Sequence, residues 1–404
     1  LQIIHDIAPK SDLHFRTGFI SAGNFAEGIK ELAASGCSVL VDDITYITEP
    51  YFQDGVVSKA VDFVSTQGVS YFTSAGNFGQ RAYEGVFNPI EAPVGYSGQA
   101  HNYGSGDVLQ SISLEQGTYT IALQWEDDFY SLEQNNGAQN DLDIFLVDQF
   151  GNRLFGFNRN NLGGDPLEIL PFVVKADVNA NLIVTRKAGT SNVRFKYIVF
   201  RGSIQFNEFE QGTSTIVGQA NAENSMAVGA VLFSNTPAYG VNPPTVASFS
   251  SRGGVLIGGE NRNKPDFCGP NGVNTTVNLG GVNIDGDAFP NFFGTSAAAP
   301  HIAAAAALVL EAKHSFQNET LNSQQMRAIL QDNAIDMGES GFDNATGAGF
   351  VKVDDVLNSF SNPRPTLTSI ELQDSSLTPG EQPINVIFNG LFFDEEALVI
   401  FQSD

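Results

Sequence analysis

The segment Gly294-Thr295-Ser296-Ala297-Ala298-Ala299-Pro300-His301, running into Ile302-Ala303-Ala304-Ala305-Ala306-Ala307-Leu308, places a serine where a helix begins. The first backbone N–H groups of a helix lack intrahelical partners and carry the positive end of its dipole. That is a place to stabilise a developing oxyanion. Small neighbours let a substrate backbone come close. Pro300 has no N–H, so the Ser296 carbonyl loses its usual helical partner and the first turn loosens. Ser296 is therefore the candidate nucleophile. Read alone, an alanine-rich buried helix with a Thr-Ser cap also accounts for this segment.

Ser74-Ala75-Gly76-Asn77 closes a β-rich run. An Asn amide at the C-terminal edge of a strand lies where open α/β sheets carry their sites. Its NH₂ can donate to an oxyanion. A turn Asn after Gly explains the same residues on their own.

Serine is a poor nucleophile without a neighbouring base. None of the five histidines is placed to serve Ser296. His5 reads as a helix-face residue. His301 follows Ser296 by five steps on one helix, which turns it by about 140° away. His14 follows a strand start, His101 lies in a β-rich region and His314 ends a helix. Asp285-Gly286-Asp287 and Asp141-Leu142-Asp143 offer oxygen ligands of the kind calcium takes. Neither carries a full loop signature, and turn or strand-edge acids account for both. No metal site is assigned and no cofactor is required; structural calcium stays open.

The elements that would position these residues come in two textures. Near the start, strand and helix alternate: a short strand at Leu13–Phe15, and a helix over Asn24–Ser35 with Phe25, Ile29 and Leu32 on one face, stopped by Gly36. A short β run at Ser38–Val41 follows. Next come a helix over Asp54–Gln67 capped by Asp54 and a strand at Val69–Thr73. This predicts a parallel sheet with covering helices. From about Val94 to about Gly212 the pattern alternates instead, at Thr118–Gln124, Asp143–Val147 and Val193–Tyr197. Asn/Gly clusters separate these segments, and the texture is that of an all-β sandwich. The α/β texture returns at Ala222–Ala230, so the sandwich reads as an insert. After Gly294 a long helix runs to about His314, and another from Ser323, as its N-cap, to about Asn333. Pro363 and Pro365 mark a linker, beyond which Thr366–Asp404 alternates like strands around Pro379-Gly380.

The chain carries 45 acidic and 20 basic residues, a net charge of −25. This argues against a nucleic-acid footprint and favours solubility. No run of about 18 apolar residues suggests a membrane span. Cys37 and Cys268 are too few for a disulfide scaffold and are expected to be free, buried thiols. Both ends look cut: the first residues read as a helix already under way, and the last stop within a strand-like run.

In order, Ala8-Pro9, Ser74-Ala75-Gly76-Asn77, Val228-Gly229-Ala230, Phe249-Ser250-Ser251-Arg252-Gly253, Lys264-Pro265-Asp266, Gly294 to Pro300 and Gly347-Ala348-Gly349-Phe350-Val351 resemble the subtilase family of serine proteases. The resemblance covers about residues 1–95 and 213–360. It implies a subtilisin-like α/β fold, a parallel sheet with helices on both faces, that cleaves peptide bonds. Ser296 then matches the nucleophile and Asn77 the oxyanion donor. Ser74, Ala75 and Gly76 match one wall of the pocket for the residue before the scissile bond. Asp43, Ile44 and Thr45 fall on the strand that pairs with substrate, where the family usually reads Ser-x-Gly. In the family the acid and base precede the Ala-Pro segment, so both are expected upstream of Leu1, the base being His or, in a related subgroup, Glu. The chain as written is expected to be inactive or weak.

The region around Asn140-Asp141-Leu142-Asp143-Ile144-Phe145-Leu146-Val147 resembles the β-sandwiches of pre-peptidase C-terminal type. Residues 366–404 faintly resemble the start of an immunoglobulin-like module. The expected organisation is therefore 1–96 and 213–362 for the protease part, 97–212 for the inserted sandwich, and 363–404 for an incomplete C-terminal β module. The expected protein is a secreted or cell-surface, bacterial-type serine endopeptidase. It would be a monomer that takes protein or peptide substrates and does not bind nucleic acid. The rival reading is a non-catalytic surface or binding protein that uses the protease fold as a scaffold for adhesive β modules.

Overall fold

The structure is a computed structural model and describes all residues except 135, 191, 210, 211, 213, 279–281, 360–364, 373–385, 392 and 394–404. Pro363 and the Pro379-Gly380 turn lie outside the described residues.

Helix α1 (Gln2–Ile7) opens the chain. The strand expected at Leu13–Phe15 does not form: no ladder reaches these residues, and Leu13 and Phe15 are exposed. A strand is made by the partner that satisfies its backbone, not by its composition alone. Helix α2 (Ala22–Ala34) starts at Ser21, whose hydroxyl accepts the Asn24 N–H at 3.1 Å, and buries Phe25 and Ile29. Strand β1 (Val39–Asp42), helix α3 (Val56–Ser65) and strand β2 (Ser70–Ser74) follow. Asp54 is not the cap of α3. Gly55 holds that position, and Asp54 pairs with Arg262 at 2.9 Å. The buried Glu49 carboxylate packs against Gly55 at the helix start. A Cβ on Gly55 would collide with that carboxylate, so the close approach requires glycine.

Antiparallel pairing begins with β3 (Ala82–Val86) and β4 (Pro89–Glu91), upstream of the expected position near 97. Then come β5 (Gln99–His101), β6 (Gln110–Leu114), β7 (Gly117–Trp125), β8 (Asp141–Val147) and β9 (Arg153–Phe157). Strands β10 (Leu167–Val174), β11 (Val178–Ala188), β12 (Arg194–Arg201) and β13 (Ile204–Phe206) complete the set. One sheet runs β10-β7-β12-β3; the other runs β13-β6-β11-β5-β4, with β8 on β11 and β9 on β8. Alternate residues of facing strands fill one core: Tyr119, Ile121, Leu123 and Trp125 meet Leu142, Ile144, Leu182 and Val184. The opposite face of β7 and β12, at Ala122 and Ile198, packs on Tyr51, Phe52, Phe78 and Val217 and joins this region to the α/β part.

Strand β14 (Ser225–Leu232) returns the chain to the first sheet. A hairpin of β15 (Leu256–Ile257) and β16 (Glu260–Asn261) precedes β17 (Phe267–Asn271), and a second, of β18 (Val273–Asn274) and β19 (Asn291–Phe292), follows it. Helix α4 (Thr295–Gln317) comes next. Helix α5 (Ser323–Asp332) starts from Asn322, one residue before the expected cap, in a reciprocal capping box with Gln325. Short strands β20 (Ala334–Ile335) and β21 (Phe350–Val351), helix α6 (Val353–Asn358) and the antiparallel pair β22 (Thr366–Leu372) and β23 (Val386–Leu391) finish the described chain.

The central sheet has the order β1-β2-β14-β17-β21-β20, parallel except for the last pair. Helices α2 and α3 cover one face through Phe25, Ile29, Val57, Val61 and Val64 against Leu40 and Tyr71. Helix α4 covers the other through Ala298, Ala299, Ile302, Ala303 and Ala306 against Phe72, Met226, Val228 and Phe267. By length and composition alone α4 could cross a membrane; here it is mostly buried in the protein core. Cys268 is buried and Cys37 half-buried, and neither is in a disulfide.

Candidate active site

The end of β2 and the start of α4 meet. Strand β2 ends at Ser74, whose register partner on β14 is Val228. The Ala75 N–H donates to the Val228 carbonyl at 3.1 Å, so the residue after the strand is still fixed to the sheet. Gly76 then turns at φ +98°, with its N–H donating to Thr295 Oγ1 at 3.1 Å and its carbonyl accepting the Ser251 N–H at 2.9 Å. The turn aims Asn77 at α4. Asn77 Oδ1 accepts the Thr295 N–H at 2.9 Å and the Thr295 hydroxyl at 3.1 Å. With the oxygen so engaged, the Nδ2 arm of the exposed Asn77 side chain is the one left to donate. It lies beside Gly294, where φ is +105° and an added Cβ would stand 3.0 Å from Nδ2.

Ser296 is half-buried in the first turn of α4, next to Thr295. The structure thus brings Asn77 to the helix start that carries Ser296, across 218 positions of sequence between Asn77 and Thr295. Thr295, fully buried, is the tie between the two segments. Sequence reasoning did not single it out; its place between a small residue and the candidate nucleophile was the available signal.

The end of β1 forms a further side. Asp42 Oδ1 accepts the Ile44 N–H at 3.0 Å, Thr73 Oγ1 at 3.1 Å and Gln219 Nε2 at 3.1 Å, and Oδ2 accepts the Tyr71 hydroxyl at 2.5 Å. Burial pushes the Asp42 pKa up to about 6 against the pull of those bonds. Gln219 Nε2 also donates to the Ile44 carbonyl at 2.5 Å. Asp43 is exposed between these pinned neighbours. Thr45 follows, half-buried.

The histidines lie elsewhere. His301 Nδ1 is 2.7 Å from the Ala297 carbonyl, and burial lowers its pKa. His101 is buried in the β region. The Asn88 N–H donates to its Nδ1 at 3.1 Å, so Nε2 carries the hydrogen toward the Tyr83 hydroxyl at 2.8 Å. Burial pushes its pKa down to about 4. His5 is exposed on α1, and His14 is 3.5 Å from Ser35 Oγ.

Asp285, Asp287 and Asp141 accept hydrogen bonds within their own loops and strands. Asp287 Oδ1 accepts the Phe289 N–H at 2.6 Å, and Asp285 Oδ2 accepts Asn291 Nδ2 at 3.1 Å, which fastens their loop. Asp141 Oδ1 accepts the Asn161 N–H at 3.1 Å. Among the described residues no three His, Cys, Asp or Glu side chains gather as a metal shell.

Residues 177–349 match the model of the subtilase family, Peptidase S8. The chain is 27% identical over 318 residues to the minor extracellular protease Vpr of Bacillus subtilis (strain 168), covering 74% of this chain and 36% of that protein. It is 26% identical over 171 residues to an extracellular serine protease of Serratia marcescens, covering 41% of this chain and 14% of that one. Fervidolysin of Fervidobacterium pennivorans is 33% identical over 133 residues, covering 31% of this chain and 17% of its own. The chain thus spans little more than a third, or less, of the curated relatives it matches. Among solved structures, the CspB protease of Clostridium perfringens superposes with a TM-score of 0.54 at 15% identity, over 86% of this chain and 74% of that one, which supports the fold. The stretch from residue 177 to residue 349, which carries β14, β17 and the start of α4 with Ser296, matches the subtilase family.

Proposed function

We propose that this chain is the core of a secreted serine endopeptidase that hydrolyses peptide bonds of protein or peptide substrates through an acyl-enzyme on Ser296. The observation that carries the reading is the pair of hydrogen bonds by which Thr295 fixes Asn77 beside the first turn of α4. In this reading Ser296 Oγ attacks the scissile carbonyl. The Asn77 Nδ2–H and the Ser296 N–H receive the oxyanion. Ser74, Ala75 and Gly76 line the pocket for the residue before the scissile bond, and Asp43, Ile44 and Thr45 flank the substrate chain. Secretion is inferred from the named relatives, two of which are extracellular proteases. No cofactor takes part in this chemistry.

The test is labelling with a fluorophosphonate probe, read by peptide mapping. The label is expected on Ser296 and is expected to vanish in Ser296→Ala. A label elsewhere, or one that survives Ser296→Ala, overturns the assignment.

A further inference from the structure

The peptide that follows Asn77 is held at both ends. Its N–H, that of Phe78, donates to Ser251 Oγ at 3.0 Å, and its carbonyl accepts Arg81 Nη2 at 2.5 Å. Arg81 is half-buried and directs one guanidinium nitrogen at each of three carbonyls: Nη2 at Asn77, Nε at Phe78 at 3.1 Å and Nη1 at Gly202 at 2.7 Å. Two of these carbonyls belong to the turn that carries Asn77. The third belongs to the turn between β12 and β13, 121 positions from Arg81.

That distant turn is fixed by the core of the β region. The Tyr119 hydroxyl lies 2.5 Å from the Ser203 carbonyl and 2.7 Å from that of Glu115. Its ring is fully buried and stacks on Phe172 with centroids 4.9 Å apart. An added Cβ on Gly202 would stand 2.2 Å from the Tyr119 ring, so the turn sits directly on that core. The Arg81 carbonyl accepts the Val199 N–H at 3.0 Å, which fastens its main chain to β12 as well.

We propose that Arg81 is a positioning residue: its guanidinium ties the Asn77 main chain to the Gly202 turn, so the β region sets where the Asn77 Nδ2–H points. This rests on the reading of Asn77 as oxyanion donor given above. Thr295 holds the side-chain oxygen of Asn77 and Arg81 holds its main-chain oxygen, so two separate elements fix the one residue. An oxyanion donor is effective when it is aimed before the charge develops. A planar, rigid fork of donors can bridge three carbonyls; an ammonium on a flexible stem is a single point and cannot span them. The β region is then a working part of the site rather than an appended module.

The experiment reads the Asn77 side-chain amide in proton–nitrogen correlation spectra of the full chain carrying isotopically labelled asparagine. Fluorophosphonate labelling rates at Ser296 are measured beside it. Asn77→Ala identifies the Asn77 amide pair by its loss. The amides of Asn161 and Asn291, which donate to the Leu167 and Gly272 carbonyls away from this turn, are the controls. The variants are Arg81→Lys, which keeps the charge without the fork, and Arg81→Met, which removes both. Unfolding midpoints establish that they fold, and Arg81→Lys carries the test if Arg81→Met does not.

In both variants the Asn77 pair is expected to shift and broaden while the control pairs stay in place. Labelling is expected to slow by about 10- to 100-fold, the scale of a misplaced group. An unmoved Asn77 pair in either folded variant overturns the proposal, and so does a moved pair with the parent labelling rate. Control pairs that move along with Asn77 overturn it too, since the effect is then a general loosening. Labelling of Asn77→Ala at the parent rate, or a folded parent that does not label at Ser296, is instead a failure of the reading beneath. In that case the spectra still decide whether Arg81 holds Asn77.

Discussion

Asn77 Oδ1 accepts both the backbone N–H and the hydroxyl of Thr295, at 2.9 and 3.1 Å. One residue therefore fixes the rotamer and the flip of the amide beside Ser296. The same hydroxyl accepts the Gly76 N–H, so the turn and the helix start form one unit.

Two substitutions separate the parts of that unit. Asn77→Ala removes a pre-aimed donor, and Ser296 labelling is expected to slow by about 10²–10³-fold, the usual effect of deleting one oxyanion donor. Thr295→Val keeps the N–H on Asn77 but strips the Gly76 N–H of its partner in a buried place. Its main effect is expected on stability, about 1–3 kcal/mol by denaturant unfolding. Labelling of Asn77→Ala at the parent rate would remove Asn77 from the chemistry.

Gly76→Ala is expected to be destabilising by about 1–3 kcal/mol and to slow labelling together with it. The residue holds φ +98°, and a Cβ would lie 2.9 Å from both Ser251 Oγ and Phe78 Cε2. Ser251 Oγ is not free to retreat, since it accepts the Phe78 N–H at 3.0 Å. Equal unfolding midpoints for Gly76→Ala and the parent would show that the turn adjusts at no cost.

The sheet and its helices were legible because their residues repeat with a period. Phe25 and Ile29 are buried on the face expected of α2, and Leu32 packs against them partly buried. Ser296 and Asn77 stand within small-residue motifs, and the structure brings Asn77 to the helix start that carries Ser296. The misses are all non-local. Leu13–Phe15 has strand composition without a partner. Asp54 is drawn from the start of α3 to Arg262, a residue far along the chain. Strand β3 pairs with β12 across more than a hundred residues, which periodicity near Ala82 cannot announce.

Acidification is expected to stabilise the protein across the weakly acidic range. Glu168 is fully buried, and neither carboxylate oxygen has a hydrogen-bond partner of ordinary geometry. Burial pushes its pKa from 4.5 up to about 8; the Arg159 charge and N–H oppose the rise and the charges of Asp143 and Asp141 add to it. Asp143, raised to about 7 by burial and by Asp141, acts in the same direction, as does Glu49, raised to about 7 by burial. A carboxyl with a raised folded pKa is bound to its proton in the folded state and not in the unfolded one. Its stabilisation is full below the unfolded value and is lost as pH rises toward about 8. Thermal unfolding should therefore show Tm falling from pH 5 to pH 8. Glu168→Gln should flatten that slope and raise Tm at pH 8 by about 2 °C or more. An unchanged slope in the variant would assign the pH dependence to other groups.

The last prediction concerns the joint between the β region and the α/β part. Lys196 on β12 is fully buried, with its ammonium 3.0 Å from Glu84 Oε2 on the neighbouring strand β3 and 2.5 Å from Ser214 Oγ. Ser214 donates in turn to Glu84 at 2.5 Å, while its N–H donates to the Gly253 carbonyl at 2.7 Å on the α/β side. The same ammonium lies 5.7 Å from the Tyr51 ring centre and 5.4 Å from that of Phe52, so aromatic faces of the α/β part receive the cation. Burial lowers the Lys196 pKa and Glu84 opposes that shift. Breaking such a pair on one side leaves a buried charge without its partner, whereas replacing both sides with apolar groups removes the penalty. Lys196→Met is therefore expected to cost about 3–5 kcal/mol in denaturant unfolding. The double variant Lys196→Met with Glu84→Met is expected to recover most of that loss. If the ion pair instead supplies net stability to the joint, the double variant will be no more stable than Lys196→Met alone. Residual Ser296 labelling then separates stability from chemistry: the double variant should label at the parent rate, because Lys196 and Glu84 pair with each other and with Ser214 rather than with Ser296 or Asn77.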